Sequence, residues 1–207
     1  MGDNLESFLD EHGLKQLHTR GEGDCLFYAL KKMLPELLGD TDVLDMRNSV
    51  VSRLQSLIAD NVEVTTRTVN DRLVDILNRQ FHLKKWITNH RAYTNWDMYY
   101  TKMATQGTYA DDPCLWAASS LFGVEITVYV SNRTIQIFSP SWEDTTPSTK
   151  ISIGNYDQVH YVATAPRDSP GGTSGNGASG GTKGKPDTVM SSSEDESSSD
   201  EDRNVPS

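Results

Sequence analysis

One cysteine of this chain follows a glycine-containing turn, and a helical pattern begins at that cysteine. The turn has the sequence GEGDC at residues 21–25, and the apolar residues after it recur at helical spacing: Leu26, Ala29, Leu30, Met33 and Leu34. Glycine permits positive φ and lets the backbone approach a substrate closely. The free N–H groups and the positive dipole end of a helix N-terminus favour a thiolate over a thiol. The pattern therefore predicts that Cys25 is a nucleophile.

His160 is the best candidate for the base that Cys25 needs, although it lies far downstream in the sequence. An isolated histidine is more often structural, but the position of His160 at the start of a predicted strand, next to Tyr161, favours a general base. Cys114 lies beside apolar residues of a predicted helix, and we interpret it as core. The other histidines have no ligand-like spacing with cysteines or carboxylates, so the sequence predicts neither a metal site nor a cofactor.

Four parts of the chain, in this order, resemble the ovarian-tumour (OTU) family of cysteine proteases. They are EGDCLF at residues 22–27, the stretch 99–111 with its YYTKM and GTYAD, the helix and strand pattern from Pro113 to Val130, and HY at residues 160–161. The resemblance covers about residues 15–165. It implies an α+β fold of the papain type, with helices packed on a small, mostly antiparallel sheet, and a catalytic domain at residues 1–165.

Members of this family act on ubiquitin and ubiquitin-like proteins, so the resemblance implies a thiol-dependent deubiquitinase. In such an enzyme Cys25 attacks the carbonyl of the C-terminal glycine of ubiquitin, and His160 acts as general base and then donates to the departing lysine amine. Backbone N–H groups of the turn, those of Gly23, Asp24 and Cys25, would hold the oxyanion. The implied partner is ubiquitin, or a ubiquitin-like modifier, with its conjugates, and the implied state is a monomer.

The chain departs from the family pattern at two positions. The family usually has Asp three residues before its cysteine, where this chain has Glu22. Many members carry Asp or Asn two residues after the histidine, where this chain has Val162, which cannot hydrogen-bond an imidazole. Glu22 is the first candidate for orienting His160. The alternatives are Asn155, Asp157, a residue of the N-terminal segment, or a Cys–His pair without a third member.

Two other functions stay open. In the first, the domain binds ubiquitin with little or no catalysis, which the missing residue after His160 would explain; the presence of both Cys25 and His160 speaks against it. In the second, the chain is a cysteine protease that processes its own precursor, as in viral or mobile-element polyproteins. A deubiquitinase is the preferred interpretation.

The composition argues against several classes of partner. The formal net charge is −10 and no cluster of lysines and arginines stands out, which argues against nucleic-acid binding through phosphate contacts. No apolar run is long enough to span a membrane, and the N-terminal residues lack the layout of a signal peptide. Two cysteines are too few for a disulfide framework and fit a reducing compartment. We expect the cytoplasm, with the nucleus as a second location.

The composition changes at Pro166, from where Gly, Ser, Thr, Pro and Lys dominate. Residues 166–207 contain too few apolar side chains to offset the entropy of ordering, so the sequence predicts a disordered tail. The run SSSEDESSSDED at residues 191–202 resembles substrates of acidophilic kinases. A solubilising tail or a linker is nevertheless the preferred interpretation over a regulatory tail.

The periodicity of the remaining residues predicts helices first and strands last. Helices are predicted around Leu5 to Leu9, from about residue 41 to 59, from about 69 to 81 with Leu73, Ile76 and Leu77 buried, and from 113 to 122 with an Asp111 or Asp112 cap and a Gly123 end. Strands are predicted at 124–130, 134–138, 150–153 and 158–164. We assign residues 84–96 to ubiquitin binding, with an irregular packed connection as the alternative.

Overall fold

A computed structural model describes residues 3–70, 75–89, 92–140, 149–157 and 159–167 of the chain. The chain divides into two units, Met1–Asp168 and Ser169–Ser207, and the described residues all belong to the first. The predicted disorder of residues 166–207 and the run of serines and acidic residues at 191–202 stay predictions, because residues 168–207 lie outside the described part.

Helices and strands alternate in groups along the described residues. The α-helices are Asp3–Glu11 (α1), Cys25–Met33 (α2), Pro35–Leu38 (α3), Val43–Ala59 (α4), Trp96–Met103 (α5) and Asp112–Phe122 (α6), and a 3-10 helix spans Leu83–Asn89. The strands are Leu14–Leu17 (β1), Glu63–Asn70 (β2), Asp75–His82 (β3), Val124–Val130 (β4), Thr134–Phe138 (β5), Thr149–Tyr156 (β6) and His160–Pro166 (β7). Within these residues no helix is long and apolar enough to cross a membrane.

The described strands form one sheet in the order β1-β7-β6-β4-β5-β2-β3. Every neighbouring pair is antiparallel except β4 and β6, which run parallel. Helices packed on a mostly antiparallel sheet define an α+β fold, so the predicted fold class is confirmed.

Successive residues of β7 face opposite sides of the sheet, as the period of a strand requires. Tyr161 and Ala163 belong to the main hydrophobic core, which they share with α2, α4 and α6. Val162 belongs to a second cluster on the other side, where Leu5 and Leu9 of α1 cover it. The start of β7 is thereby held from both faces of the sheet.

The helix predicted for residues 69–81 is wrong, because β2 and β3 form an antiparallel hairpin there. The stretch 64–69 is rich in threonine and valine, which favour strands, and β2 pairs with β5 on its other side, from Arg67 to Asn70. These ladder bonds to a distant strand outweigh a local helical period. Leu73 and the side chains of Ile76 and Leu77 lie outside the described residues.

The other predicted helices and strands are present, with small shifts of their ends. Asp42 caps α4 by accepting from the Leu44 N–H at 2.8 Å, and Gly123 ends α6 with a φ of 65°. Asp111 occupies the position before α6, but its side chain makes no capping bond. The segment 84–96, predicted to bind ubiquitin or to be irregular, contains most of the 3-10 helix and the first residue of α5.

Candidate active site

Cys25 is the first residue of α2, and the turn before it has left-handed backbone at two successive residues. The φ angle is 67° at Glu22 and 84° at Gly23. A Cβ atom added to Gly23 would lie 1.9 Å from the carbonyl oxygen of Gly107. Only glycine fits this approach, so the turn is packed against the segment around Gly107.

The thiol of Cys25 lies beside the start of β7. The backbone N–H of Tyr161 donates to Cys25 Sγ at 3.3 Å, and Thr19 Oγ1 accepts from the next outward N–H of the strand, that of Ala163, at 3.0 Å. The residue before Tyr161 is His160, so one hydrogen bond brings the two predicted catalytic residues into the same neighbourhood.

Burial raises the pKa of Cys25 above the ordinary value of a thiol. The N–H groups of Tyr161, Leu26 and Cys25 itself act against this shift, and the charge of Asp24 adds to it. The sequence predicted a thiolate, because a helix N-terminus stabilises one. The loss of hydration outweighs the effect of the N–H groups, so Cys25 is a thiol at neutral pH.

His160 is half-buried at the first position of β7. Its pKa is lowered by burial and, to a smaller extent, by the nearby His18. Neither ring nitrogen makes a hydrogen bond within the described residues, to Cys25 or to any carboxylate. The imidazole is therefore neutral at neutral pH and free to accept a proton.

An aromatic ring from the neighbouring strand supports the imidazole of His160. Tyr156 is the register partner of His160, and the two rings stack with centroids 6.3 Å apart and planes 21° apart. The Tyr156 hydroxyl donates to Gln16 Oε1 at 2.6 Å. Because Gln16 belongs to β1 and Tyr156 to β6, this bond spans β7, the strand that carries His160.

The proposed orienting residues do not meet the imidazole. Glu22 is exposed and its carboxylate makes no hydrogen bond or ion pair with another described residue. The Asp157 carboxylate accepts from the Ser131 hydroxyl at 2.7 Å. Asn155 is the register partner of Tyr161, and so faces the side of the sheet opposite to His160. Within the described residues, no side chain of the N-terminal segment hydrogen-bonds the imidazole, although Gln16 accepts from the hydroxyl of the stacked Tyr156.

A buried ion pair lies directly under the turn. Arg47 of α4 has no exposed surface, and its Nε and Nη2 donate to Asp24 Oδ1 at 3.1 and 2.5 Å. Both carboxylate oxygens of Asp24 also accept from the Gly107 N–H at 3.2 Å. The guanidinium lies 4.4 Å from the ring centroid of Phe27. The charge of Arg47 is thereby paired, as burial requires.

Three carbonyl oxygens complete the contacts of Arg47. Nη1 donates to Met103 at 2.7 Å, and Nη2 donates to Gly23 at 3.1 Å and to Thr108 at 2.7 Å. Arg47 is not among the residues predicted for the site. A signal was present, since this arginine falls within the inward-facing stripe of α4, next to Met46 and three residues before Val50.

The N–H groups of Gly23 and Asp24 donate to no acceptor among the described residues. They precede the first turn of α2, where N–H groups have no intrahelical partner. The residues predicted to bind an oxyanion thus have unused donors beside the thiol of Cys25.

A polar cavity of about 220 Å³ lies on the core side of β7, lined in part by Tyr161, Asn155, Asp111 and Asp112. Burial raises the pKa of each aspartate to about 6, and the charge of Asp111 contributes to the shift at Asp112. The described residues contain no group of three histidine, cysteine or acidic side chains that could hold a metal ion.

The sequence matches the family model for OTU-like cysteine proteases over residues 20–161, more than half of the 207 residues. The matched range contains the turn, Cys25 and His160. The chain belongs to the OTU family of cysteine proteases. Among curated proteins, none matches the sequence.

Solved structures of OTU domains are similar to this fold. The OTU domain of OTUD1 is 16% identical, and the match covers 79% of this chain and 93% of that domain with a TM-score of 0.53. An OTU deubiquitinase from Wolbachia pipientis wMel bound to ubiquitin is 15% identical over 75% of this chain and 98% of that chain, with a TM-score of 0.48. The Hazara virus OTU bound to ubiquitin is 10% identical over 73% and 80% of the two chains, with a TM-score of 0.47.

Proposed function

We propose that the protein is a thiol-dependent deubiquitinase that hydrolyses the isopeptide bond after the C-terminal glycine of ubiquitin. The observation that carries the proposal is the position of Cys25, at the start of α2 with its Sγ bonded to the N–H of the residue after His160. Membership of the OTU family supports the reaction class. The proposed partner is ubiquitin, or a ubiquitin-like modifier, with its conjugates, bound by a monomer in the cytoplasm or nucleus.

The reaction begins from an uncharged pair. His160 removes the proton of Cys25 as the thiol attacks the carbonyl carbon of the glycine, and the carbonyl oxygen becomes an oxyanion. The N–H groups of Gly23, Asp24 and Cys25 hold that oxyanion. Protonated His160 gives its proton to the departing lysine amine, and a water molecule then hydrolyses the thioester with the same histidine as base.

The uncharged starting state is compatible with this mechanism. Catalytic hydrogen bonds are commonly long in substrate-free enzymes and shorten when the substrate is bound. The thiol of Cys25 lies beside the backbone of Tyr161, the next residue after His160 on the same strand. Its lowered pKa keeps it in the basic form that the first step requires.

The experiment is a reaction with ubiquitin that carries a thiol-reactive electrophile at its C-terminus. We expect wild type to form a covalent adduct, Cys25→Ala to form none, and His160→Ala to react far more slowly. Cys114→Ala is the matched control, because the second thiol is fully buried and its pKa is raised to about 12, mainly by burial. This variant should label as wild type does.

Two outcomes would replace the proposal. A folded protein that binds ubiquitin but forms no adduct would be a ubiquitin-binding domain without catalysis; the raised pKa of Cys25 is the observation that favours this second candidate. A protein that neither binds ubiquitin nor reacts with it would direct the search to ubiquitin-like modifiers and then to cleavage of a precursor.

A further inference from the structure

The peptide group between Gly23 and Asp24 is held by its carbonyl oxygen, which accepts from Arg47 Nη2 at 3.1 Å. A trans peptide is planar, and its C=O and N–H point in opposite directions. A donor that fixes the carbonyl of Gly23 therefore also fixes the direction of the Asp24 N–H. That N–H points away from the guanidinium, and it has no acceptor within the described residues.

The guanidinium that holds this peptide is itself bound on several sides. It is completely buried, and its donors reach the carboxylate of Asp24, the end of α5 at Met103, and Thr108. The planar fork of an arginine serves such a set at fixed angles, which a lysine ammonium cannot do. Arg47 thus connects three pieces of chain that are far apart in sequence: the turn, α4 and the segment that follows α5.

The turn needs this constraint because its own backbone can adopt more than one conformation. Gly23 has positive φ and no side chain, so a rotation of the peptide after it meets little local resistance. A rotated peptide would exchange the directions of the Gly23 carbonyl and the Asp24 N–H, so that the oxygen would point away from the guanidinium. An oxygen at that position would repel a developing oxyanion.

We propose that Arg47 is a positioning residue for the reaction, which holds the Gly23–Asp24 peptide so that the Asp24 N–H is directed at the oxyanion. This inference rests on the proposed function. Arg47 touches no reacting atom; it acts through the Gly23 carbonyl and through the Asp24 carboxylate, which also binds the Gly107 N–H. The ion pair alone would be weak grounds for a contribution to stability, because a buried pair gains little over apolar residues.

The test compares two reactions of Cys25 that differ in their need for an oxyanion site. Hydrolysis of a ubiquitin C-terminal amide passes through a tetrahedral oxyanion, whereas alkylation by iodoacetamide displaces iodide at a carbon atom and forms none. We expect Arg47→Lys to lower kcat for hydrolysis by about 10²- to 10³-fold, the loss associated with one oxyanion donor. The KM and the rate of alkylation should stay within about threefold of wild type.

The matched control is Arg53→Lys, on the same helix. Arg53 donates to the hydroxyl of Ser120, on α6, at 2.8 and 2.6 Å. The Arg53→Lys variant should hydrolyse the substrate as wild type does. If Arg47→Lys does not fold, the double variant Arg47→Met/Asp24→Asn tests the same contact without leaving a buried charge unpaired, and the same split between hydrolysis and alkylation is expected.

A second measurement does not depend on the substrate. The ¹H–¹⁵N resonances of Asp24 and Gly107 should be single in wild type, and broadened or doubled in Arg47→Lys. Equal losses of hydrolysis and alkylation, or unaltered resonances beside a loss of hydrolysis, would overturn the role of Arg47. A wild type that is alkylated but hydrolyses no ubiquitin substrate would instead overturn the proposed function, while altered resonances would still establish that Arg47 holds the turn.

Discussion

Burial shifts the pKa of Cys25 upward and the pKa of His160 downward, and both shifts favour the uncharged forms. Burial removes water from the thiolate anion of Cys25 and from the imidazolium cation of His160, and so destabilises the charged form of each. The backbone donors around Cys25 oppose the first shift without cancelling it. The resting state is therefore a thiol beside a neutral base, and the charges appear only during the reaction.

This state predicts how the free enzyme reacts with iodoacetamide as the pH is changed. The alkylation rate of Cys25 should rise in a single step centred above the ordinary pKa of a thiol, about 8.5. A thiolate–imidazolium pair would instead give a plateau of reactivity below pH 7, which His160→Ala would abolish. A plateau of that kind in wild type would contradict the uncharged pair; Cys25→Ala controls for reaction at other groups.

The lowered pKa of His160 has a consequence for catalysis at acid pH. A general base is active above its pKa, so a pKa below the ordinary value of about 6.5 extends activity to lower pH. Because the charge of His18 contributes to the lowering, His18→Ala should move the acid limb of the kcat/KM profile upward, toward that value. The control is His82→Ala, whose imidazole contacts the Asn61 carbonyl at 3.2 Å. An acid limb that stays in place would exclude a coupling between the two histidines.

At the residue scale, the sequence was informative where a local motif carries the chemistry. Cys25 and its turn can be recognised because glycines, a cysteine and a helical stripe adjoin one another, and the helix begins at Cys25 as the pattern predicts. The environment of the thiol could not be predicted, since the burial that raises its pKa comes from residues far away in the sequence. Arg47 and Tyr156 were missed for the same reason: their partners are Gly23 and Gln16, which only the fold brings near.

At the scale of elements, three strands side by side determine the surroundings of His160. The Tyr156 ring of β6 stacks on the imidazole, and Gln16 of β1 anchors the Tyr156 hydroxyl across β7. An aromatic ring thus neighbours the imidazole, whereas the residue two positions after His160 is Val162. Val162 at that place packs against α1.

Two substitutions of Tyr156 separate the ring from its hydroxyl. Tyr156→Leu removes the stacked ring, and an aromatic pair is worth about 0.5–1.5 kcal/mol beyond its buried area, so kcat/KM should fall about threefold to tenfold. Tyr156→Phe keeps the ring and loses only the bond to Gln16, so it should stay within about threefold of wild type. Equal losses in the two variants would show that the ring does not position His160.

The turn gives a second prediction at this scale. Gly23→Ala would place a Cβ 1.9 Å from the Gly107 oxygen at a residue with a φ of 84°. We expect a loss of about 2–4 kcal/mol in the free energy of unfolding, together with loss of hydrolysis, because the turn must leave its place. The control is Gly13→Ala, which has a φ of 70° but no atom within 4 Å of the new Cβ. It should lose only about 1 kcal/mol, and keep its activity. Similar losses of stability in the two variants, measured by denaturant titration, would show that the close approach to Gly107 does not cause the extra loss expected for Gly23→Ala.

The predicted and observed elements differ most where pairing over long distances decides the structure. The strand at 124–130 alternates cleanly between buried and half-buried residues, and the period is visible in the sequence. The sequence of residues 69–81, which predicts a helix, has no such alternation of apolar and polar residues. The strand β2 also pairs with β5, where Arg67 lies opposite Ile137, more than sixty residues further along the chain. A local window does not contain that information.

At the scale of the whole molecule, the sheet joins the two ends of the described chain. All of β1 pairs with the C-terminal part of β7, from Leu14 with Pro166 to Leu17 with Ala163. Arg167 then donates its backbone N–H to the Gly13 carbonyl at 2.8 Å. The strand β7, which begins with His160, is thus paired with the first strand of the sheet. The hydrogen bond nearest the C-terminus in this pairing is the one made by Arg167.

The position of that last bond makes a prediction for the remaining 40 residues. A chain that ends at Asp168 keeps the ladder between β1 and β7, the turn and α2, so it should unfold at the same denaturant midpoint as the full chain. Its kcat/KM on a ubiquitin substrate should stay within about twofold, since residues 169–207 hold only three large apolar side chains, Val189, Met190 and Val205, and cannot build a core. The comparison requires both lengths under identical conditions.

A shorter chain supplies the control. It has only a few residues fewer than the chain that ends at Asp168, and yet it lacks part of the sheet. A chain that ends at Val162 lacks the partners of β1, Ala163 to Pro166, and should lose cooperative unfolding and activity together. If the chain ending at Asp168 were also destabilised, residues 169–207 would contribute contacts that their composition does not predict. If it were stable but less active, the acidic segment at 191–202 would act on the substrate rather than on the fold.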